Sequence, residues 1–144
     1  MKNAIYFDTS ALAKWYINES HSDDVEKYLQ KHGPVAISDL TIIEMRCLLA
    51  RRRRDKSITS QIETEAFATF QEDIRRRSLT CYSLPDGLAT GTINLIALLP
   101  DIPIRTLDAM HLMIAREIQA TELVTADHIM AECAEALGIK VIRF

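Results

Sequence analysis

Short apolar runs alternate along the chain with stretches of helical period. The runs "AIYF" (4–7), "VAIS" (35–38), "LTCYS" (79–83), "ELVTA" (122–126) and "IKVIRF" (139–144) each read as a short strand. Apolar and β-branched residues in such runs suit strands covered on both faces. The intervening stretches predict helices over 10–18, 22–32, 41–54, 59–77, 86–99, 106–119 and 128–137. In the second of these, Val25, Tyr28, Leu29 and His32 share a face before Gly33-Pro34 stops the helix. In the third, Ile43, Cys47 and Ala50 are spaced by helical turns, and in the fourth Ile62, Ala66, Phe70 and Ile74 recur at every fourth position. The sequence "PDIPI" interrupts the chain after the fifth, and Gly138 closes the last. Strand–helix alternation predicts an α/β fold, a mostly parallel central sheet of about five strands with helices on both faces.

That topology places chemistry. In parallel sheets, ligands sit outside the carboxyl ends of the strands. Asp8 follows the strand at 4–7, and Asp127 follows the strand at 122–126. Glu44 lies in the first turns of the helix that begins where strand 35–38 ends. Asp108 opens the helix that returns to strand 122–126, so it belongs at the same edge. Each acid has a local explanation. Asp8 and Asp127 can cap the helices that follow them. Thr41-x-x-Glu44 has the form of a capping box. Asp108 can complement a helix dipole. Caps explain why each carboxylate is tolerated, but not why all four crowd one rim, where like charges raise one another's pKa. Divalent cations resolve that conflict, and an all-oxygen set suits Mg²⁺ or Mn²⁺ rather than zinc.

Composition narrows the classes. The chain has 144 residues, 48 % of them hydrophobic and 26 % charged, which fits a single soluble domain over 1–144. A net charge of −3 excludes a global basic field, so any nucleic-acid contact must use local patches. Cys47, Cys81 and Cys133 are far apart and odd in number, which argues against a disulfide framework or zinc knuckle and suits the cytoplasm. The longest apolar runs, such as "INLIALL", are too short to span a membrane, and the N-terminus lacks the apolar stretch of a signal peptide.

The ordered set "DTSALAKWY", "ISDLTIIEM", "IRTLDAMHLMIA" and "LVTAD" resembles the PIN-domain ribonucleases, specifically VapC-type toxins of toxin–antitoxin pairs. The resemblance covers nearly the whole chain, and the stretch 51–104 carries little of it. It implies a three-layer α/β/α PIN-like domain and a Mg²⁺- or Mn²⁺-dependent endoribonuclease whose acids map onto Asp8, Glu44, Asp108 and Asp127. The family's small hydroxyl positions match Ser10 and Thr125, with Thr9 beside them. It also implies a homodimer neutralised by a small VapB-like antitoxin. Such a site supports phosphodiester hydrolysis, with one cation lowering the pKa of water and a second stabilising the leaving oxygen. On this reading Asp8 and Asp108 are the main metal ligands, Asp127 a direct or water-mediated one, and Glu44 either ligates a second metal or orients water. The chemistry does not need the RNA 2′-hydroxyl, so products should carry a 5′-phosphate and a 3′-hydroxyl.

Other residues are weighed beside these. His111 lies one helical turn after Asp108 and reads as a satisfied core histidine, with metal ligation as the alternative. His128 reads as exposed. The runs Arg51–Arg54 and Arg75–Arg77 are the basic clusters. They read either as cations at helix C-termini or as RNA phosphate contacts, with Arg51, Arg52, Arg75, Arg76 and Arg77 as the candidates. Two alternatives to the nuclease remain at this level: a catalytically silent PIN-like RNA-binding module and a metal-dependent phosphatase. The opening "FDTSA" resembles that of haloacid-dehalogenase phosphatases, but Ser10 stands where those need a second aspartate.

Overall fold

The computed structural model describes residues 4–144. Five strands form one sheet: β1 (Ala4–Phe7), β2 (Val35–Ser38), β3 (Leu79–Tyr82), β4 (Ala120–Thr125) and β5 (Lys140–Arg143). The order across the sheet is β3-β2-β1-β4-β5, and every pairing is parallel. The helices are α1 (Thr9–Tyr16), α2 (Ser22–His32), α3 (Asp39–Arg54), α4 (Ser60–Arg75), α5 (Leu88–Ala97), α6 (Thr106–Glu117) and α7 (His128–Ala136).

Adjacent strand residues point to opposite faces, which divides the core into two layers. Phe7, Ile37 and Val124 pack with Leu12, Leu49 and Phe70 from α1, α3 and α4. Their neighbours Tyr6, Ala36 and Leu123 pack instead with Leu95, Leu112 and Met130 from α5, α6 and α7. The result is the three-layer α/β/α arrangement that the strand–helix alternation predicts. The strand carrying Leu123 starts at Ala120, two residues earlier than its pattern suggests. The cysteines are unpaired. Among the described residues, no helix is long and apolar enough to cross a membrane.

Several helix ends fall one or two residues from their sequence expectations, two of them for evident local reasons. α3 begins at Asp39 rather than Thr41, because Thr41 Oγ1 accepts the Ser38 backbone N–H at 3.1 Å and draws Ser38 into the N-cap position. α4 stops at Arg75, where Arg77 takes a left-handed φ of 62° and the Ser78 N–H reaches back to the Asp73 carbonyl at 2.9 Å. The chain then enters β3 from the amino edge of the sheet. Arg75–Arg77 therefore sit at the opposite edge from Asp8 and Asp127.

Candidate active site

β1 hands the chain to α1 through Asp8, whose N–H still bonds the Val124 carbonyl at 2.8 Å. Asp8 occupies the N-cap position of α1, but its side chain caps nothing. Instead Oδ2 accepts from Ser10 Oγ at 2.7 Å and from Thr125 Oγ1 at 2.8 Å. Both hydroxyls are fixed in turn, Ser10 Oγ by the Ala126 N–H and Thr125 Oγ1 by the Asp127 N–H, each at 3.0 Å. The capping explanation for Asp8 therefore fails, and the serine and threonine serve its carboxylate. Burial pushes Asp8 above the usual carboxylate range, against the pull of His111 and the two hydroxyls.

Glu44 is not a capping residue either: the capping box sits three residues earlier, with Ser38 at the N-cap and Thr41 accepting the Ser38 N–H. Its Oε1 accepts from Thr9 Oγ1 at 2.9 Å and contacts His111 Nε2. Burial raises its pKa, but the bonds from His111 and Thr9 and the nearby Arg51 charge outweigh this and hold it below the ordinary value. Asp127 does cap, with Oδ1 accepting the Ile129 N–H at 2.8 Å. Asp108, in the first turn of α6, is pushed up to about 6 by burial and by the charges of Asp8, Asp127 and Glu44. Burial is the larger part of that push, and the repulsion expected of acids at one rim adds to it.

All four acids line one open cleft of about 560 Å³, together with Thr9, Ser10, Arg51 and Arg105. Ile43 and Leu107 form an apolar margin on its two sides. Asp8, Glu44 and Asp127 share a feature. One oxygen of each is occupied by hydrogen-bond donors, and the other accepts none from the described residues. No side-chain polar atom among the described residues is both buried and unpartnered, so these second oxygens open to the cleft. Ligand atoms of Asp8, Glu44 and His111 lie together, with Asp108 and Asp127 on the same cleft, and oxygen donors of this kind fit a hard divalent cation.

The sequence reading of His111 as a satisfied core residue is half of the picture. It is fully buried, with Nδ1 2.6 Å from the Tyr6 hydroxyl. Its other nitrogen, however, meets Glu44, and ligand atoms of Asp8, Glu44 and His111 lie within 4.8 Å of one another. Tyr6 was not legible as a site residue. The available signal was the Asp108-x-x-His111 spacing on α6. His128 is exposed at the start of α7.

The arginine runs divide by partner. Arg51 lines the cleft. Arg52 bonds Glu19 at 2.8 Å, and Arg53 bonds Glu63 at 2.7 Å. Arg75 and Arg76 both pair with Glu72. Arg77 borders a separate hollow at the amino edge, beside Gly33 and Glu122.

Comparison with known proteins accords with this geometry. The PIN domain family model matches residues 5–144. The chain is 33 % identical over 142 residues to Ribonuclease VapC46 of Mycobacterium tuberculosis, covering 96 % of each. Its fold is similar to that of Mycobacterium tuberculosis VapC20, a sarcin-ricin loop cleaving toxin, with a TM-score of 0.72, 17 % identity and coverage of 98 % and 100 %. It is also similar to a chain of VapBC2 from Rickettsia felis, determined bound to a promoter DNA fragment, with a TM-score of 0.71, 14 % identity and coverage of 97 % and 98 %. A fold with its acids gathered at the carboxyl edge, a family model spanning the chain and a full-length VapC relative lead to one assignment: the chain belongs to the PIN domain family and, within it, to the VapC ribonucleases.

Proposed function

We propose that this chain is the toxin of a VapBC-type pair, a divalent-cation-dependent endoribonuclease acting in the cytoplasm as a single PIN domain over 1–144. The observation that carries the reading is the cleft holding Asp8, Glu44, Asp108 and Asp127, with Asp108 pushed up to about 6 by burial and by the neighbouring acids. Asp8, Asp108 and Asp127 would hold Mg²⁺ or Mn²⁺, with Glu44 as a further ligand or the residue that orients water. A bound cation supplies Lewis-acid stabilisation of phosphate charge and acidifies water at neutral pH.

The remaining work belongs to the chain. Ser10 and Thr125 fix the Asp8 carboxylate by one oxygen, and Thr9 does the same for Glu44. Arg51 and Arg105 bring positive charge to an otherwise acidic cleft, where phosphates flanking the cleaved bond would lie. The same role for Arg75, Arg76 and Arg77 places contacts at the far edge of the sheet, so it requires a folded RNA that reaches past α4. The antitoxin partner follows from VapC membership and is a small VapB-like protein; a second copy of the chain completes a homodimer.

The test is RNA cleavage by purified chain freed of antitoxin. Cleavage with Mg²⁺ or Mn²⁺, arrest by EDTA, and products with 5′-phosphate and 3′-hydroxyl ends are expected. Cleavage that persists in EDTA and disappears on replacing His111 or His128 would replace metal chemistry with acid–base chemistry.

A further inference from the structure

A hydrogen-bonded chain runs from β2 and β1 through α6 into the active site. Ser38 Oγ lies 2.9 Å from the Tyr6 hydroxyl, which lies 2.6 Å from His111 Nδ1. His111 Nε2 contacts Glu44 Oε1, the oxygen that also accepts from Thr9 at 2.9 Å. Tyr6, Ser38 and His111 are fully buried, so every link must be satisfied within the protein.

One proton assignment satisfies all of them with a neutral imidazole. A carboxylate only accepts, so Nε2 must carry the proton that faces Glu44. Nδ1 then presents a lone pair, which accepts from the Tyr6 hydroxyl. Tyr6 in turn accepts from Ser38. Burial raises the Tyr6 phenol above its ordinary value, which keeps it an O–H donor. The opposite tautomer would set a bare Nε2 lone pair against a carboxylate oxygen, leaving two acceptors in contact. Because Thr9 and His111 both bond Oε1, Oε2 is left for the cleft. Metal-bound carboxylates are commonly held this way by outer hydrogen bonds.

We propose that Tyr6 and His111 are positioning residues that pin Glu44 by Oε1 and turn Oε2 toward the cation, with His111 a hydrogen-bond donor to the site rather than a metal ligand. The inference rests on reading Glu44 as one of the cation-holding acids.

Two measurements test it. The first is calorimetric titration of Mn²⁺ into EDTA-stripped protein as wild type, His111→Gln, His111→Leu, Glu44→Ala and the Glu44→Ala/His111→Leu double variant. His111→Leu should weaken Mn²⁺ by about tenfold or more, the usual cost of losing an outer-shell partner. His111→Gln, whose amide can still donate to Glu44, should bind within a few-fold of wild type. In the Glu44→Ala background His111→Leu should add almost nothing, since the two act through one interaction. Additive losses, or a Gln variant as weak as Leu, would make His111 a ligand in its own right and overturn the proposal.

The second measurement needs no metal and covers a His111→Leu chain that does not fold. The ¹⁵N shifts of His111 in metal-free protein should report Nε2–H and an accepting Nδ1. Tyr6→Phe, which removes one oxygen atom, should weaken that preference and lower Mn²⁺ affinity several-fold. A wild-type imidazole protonated at Nδ1 overturns the arrangement whatever the metal does. Wild type that takes up no Mn²⁺ while keeping Nε2–H would instead sink the cation reading of the acids.

Discussion

Glu63 on α4 and the Asp8–Asp108 cluster both withdraw carboxylates from water, but only Glu63 has both oxygens bonded by guanidinium groups. Glu63 is 7 % exposed, and its two oxygens receive Arg46 at 3.1 Å and Arg53 at 2.7 Å. Burial raises its pKa, and the two guanidinium bonds more than reverse this, leaving it below the ordinary value. Asp8 is 5 % exposed, and the hydrogen-bond donors on its carboxylate are neutral hydroxyls. Asp108 meets burial and three neighbouring acids, and it rises to about 6. The difference separates a carboxylate whose burial is outweighed by bonded arginines from Asp8 and Asp108, whose burial is not offset. Both centres are served by the same helix. α3 sends Arg46 and Arg53 to Glu63, and Glu44 and Arg51 to the cleft.

The sharpest way to break this distinction is to neutralise one acid from each centre. Asp108→Asn should lower RNA cleavage by roughly a hundredfold or more, the scale for losing one charge-stabilising group in an active site. Glu63→Gln should leave cleavage nearly unchanged and lower the melting temperature, since it weakens two charge-assisted bonds between α3 and α4. Gel-based cleavage rates beside thermal unfolding curves measure both. A Glu63→Gln protein that is folded but inactive would erase the contrast.

A smaller effect is expected from the arginines. Arg51→Ala removes the α3 guanidinium that lines the cleft, and should lower the slope of log affinity against log salt by about 1, the change for one lost phosphate contact. Replacing Arg75, Arg76 and Arg77 together should flatten that slope less, because Arg75 and Arg76 already share Glu72. A larger flattening from the triple variant would move the main RNA contact to the amino edge of the sheet.

What the sequence disclosed follows from what local pattern can encode. "AIYF" and "VAIS" are apolar on both faces because Tyr6 and Phe7, like Ala36 and Ile37, serve opposite layers. Parallel topology then carries Asp8, Glu44, Asp108 and Asp127 to one edge without any knowledge of side-chain contacts. Hydrogen-bond choice was not legible in the same way. Asp8, Glu44 and Asp127 all look like caps in sequence, yet Asp127 alone caps. Asp8 prefers hydroxyls on α1 and at the end of β4, and the capping box at Ser38 and Thr41 leaves Glu44 outside it. The Thr125 and His111 partners depend on where β4 and α6 pack, tens of residues away. The His111–Glu44 contact joins α6 to α3, and the split of arginines among Glu19, Glu63 and Glu72 depends on how α3, α4 and the loop after α1 meet.

The claim that Asp8 and Asp108 lack a bonded counter-charge is tested most directly by the unfolding free energy of wild type and Asp108→Asn, each in EDTA and in Mg²⁺, from mildly acidic to neutral pH. The Asp108 carboxyl lies at about 6 in the folded protein against an ordinary 3.8, so the folded chain retains a proton that the unfolded chain has lost. Stability in EDTA must then fall as pH rises from the unfolded value through the folded one, and the full penalty stands above pH 6. Asp108→Asn should therefore be more stable than wild type in EDTA at neutral pH, by about 1 kcal/mol after allowing for solvent in the open cleft. That advantage should shrink toward pH 4. Mg²⁺ should stabilise wild type and stabilise Asp108→Asn much less, because a ligand stabilises only through its preference for the folded state. An Asp108→Asn protein no more stable than wild type in EDTA, with an undiminished response to Mg²⁺, would mean that the four acids are complete without a cation.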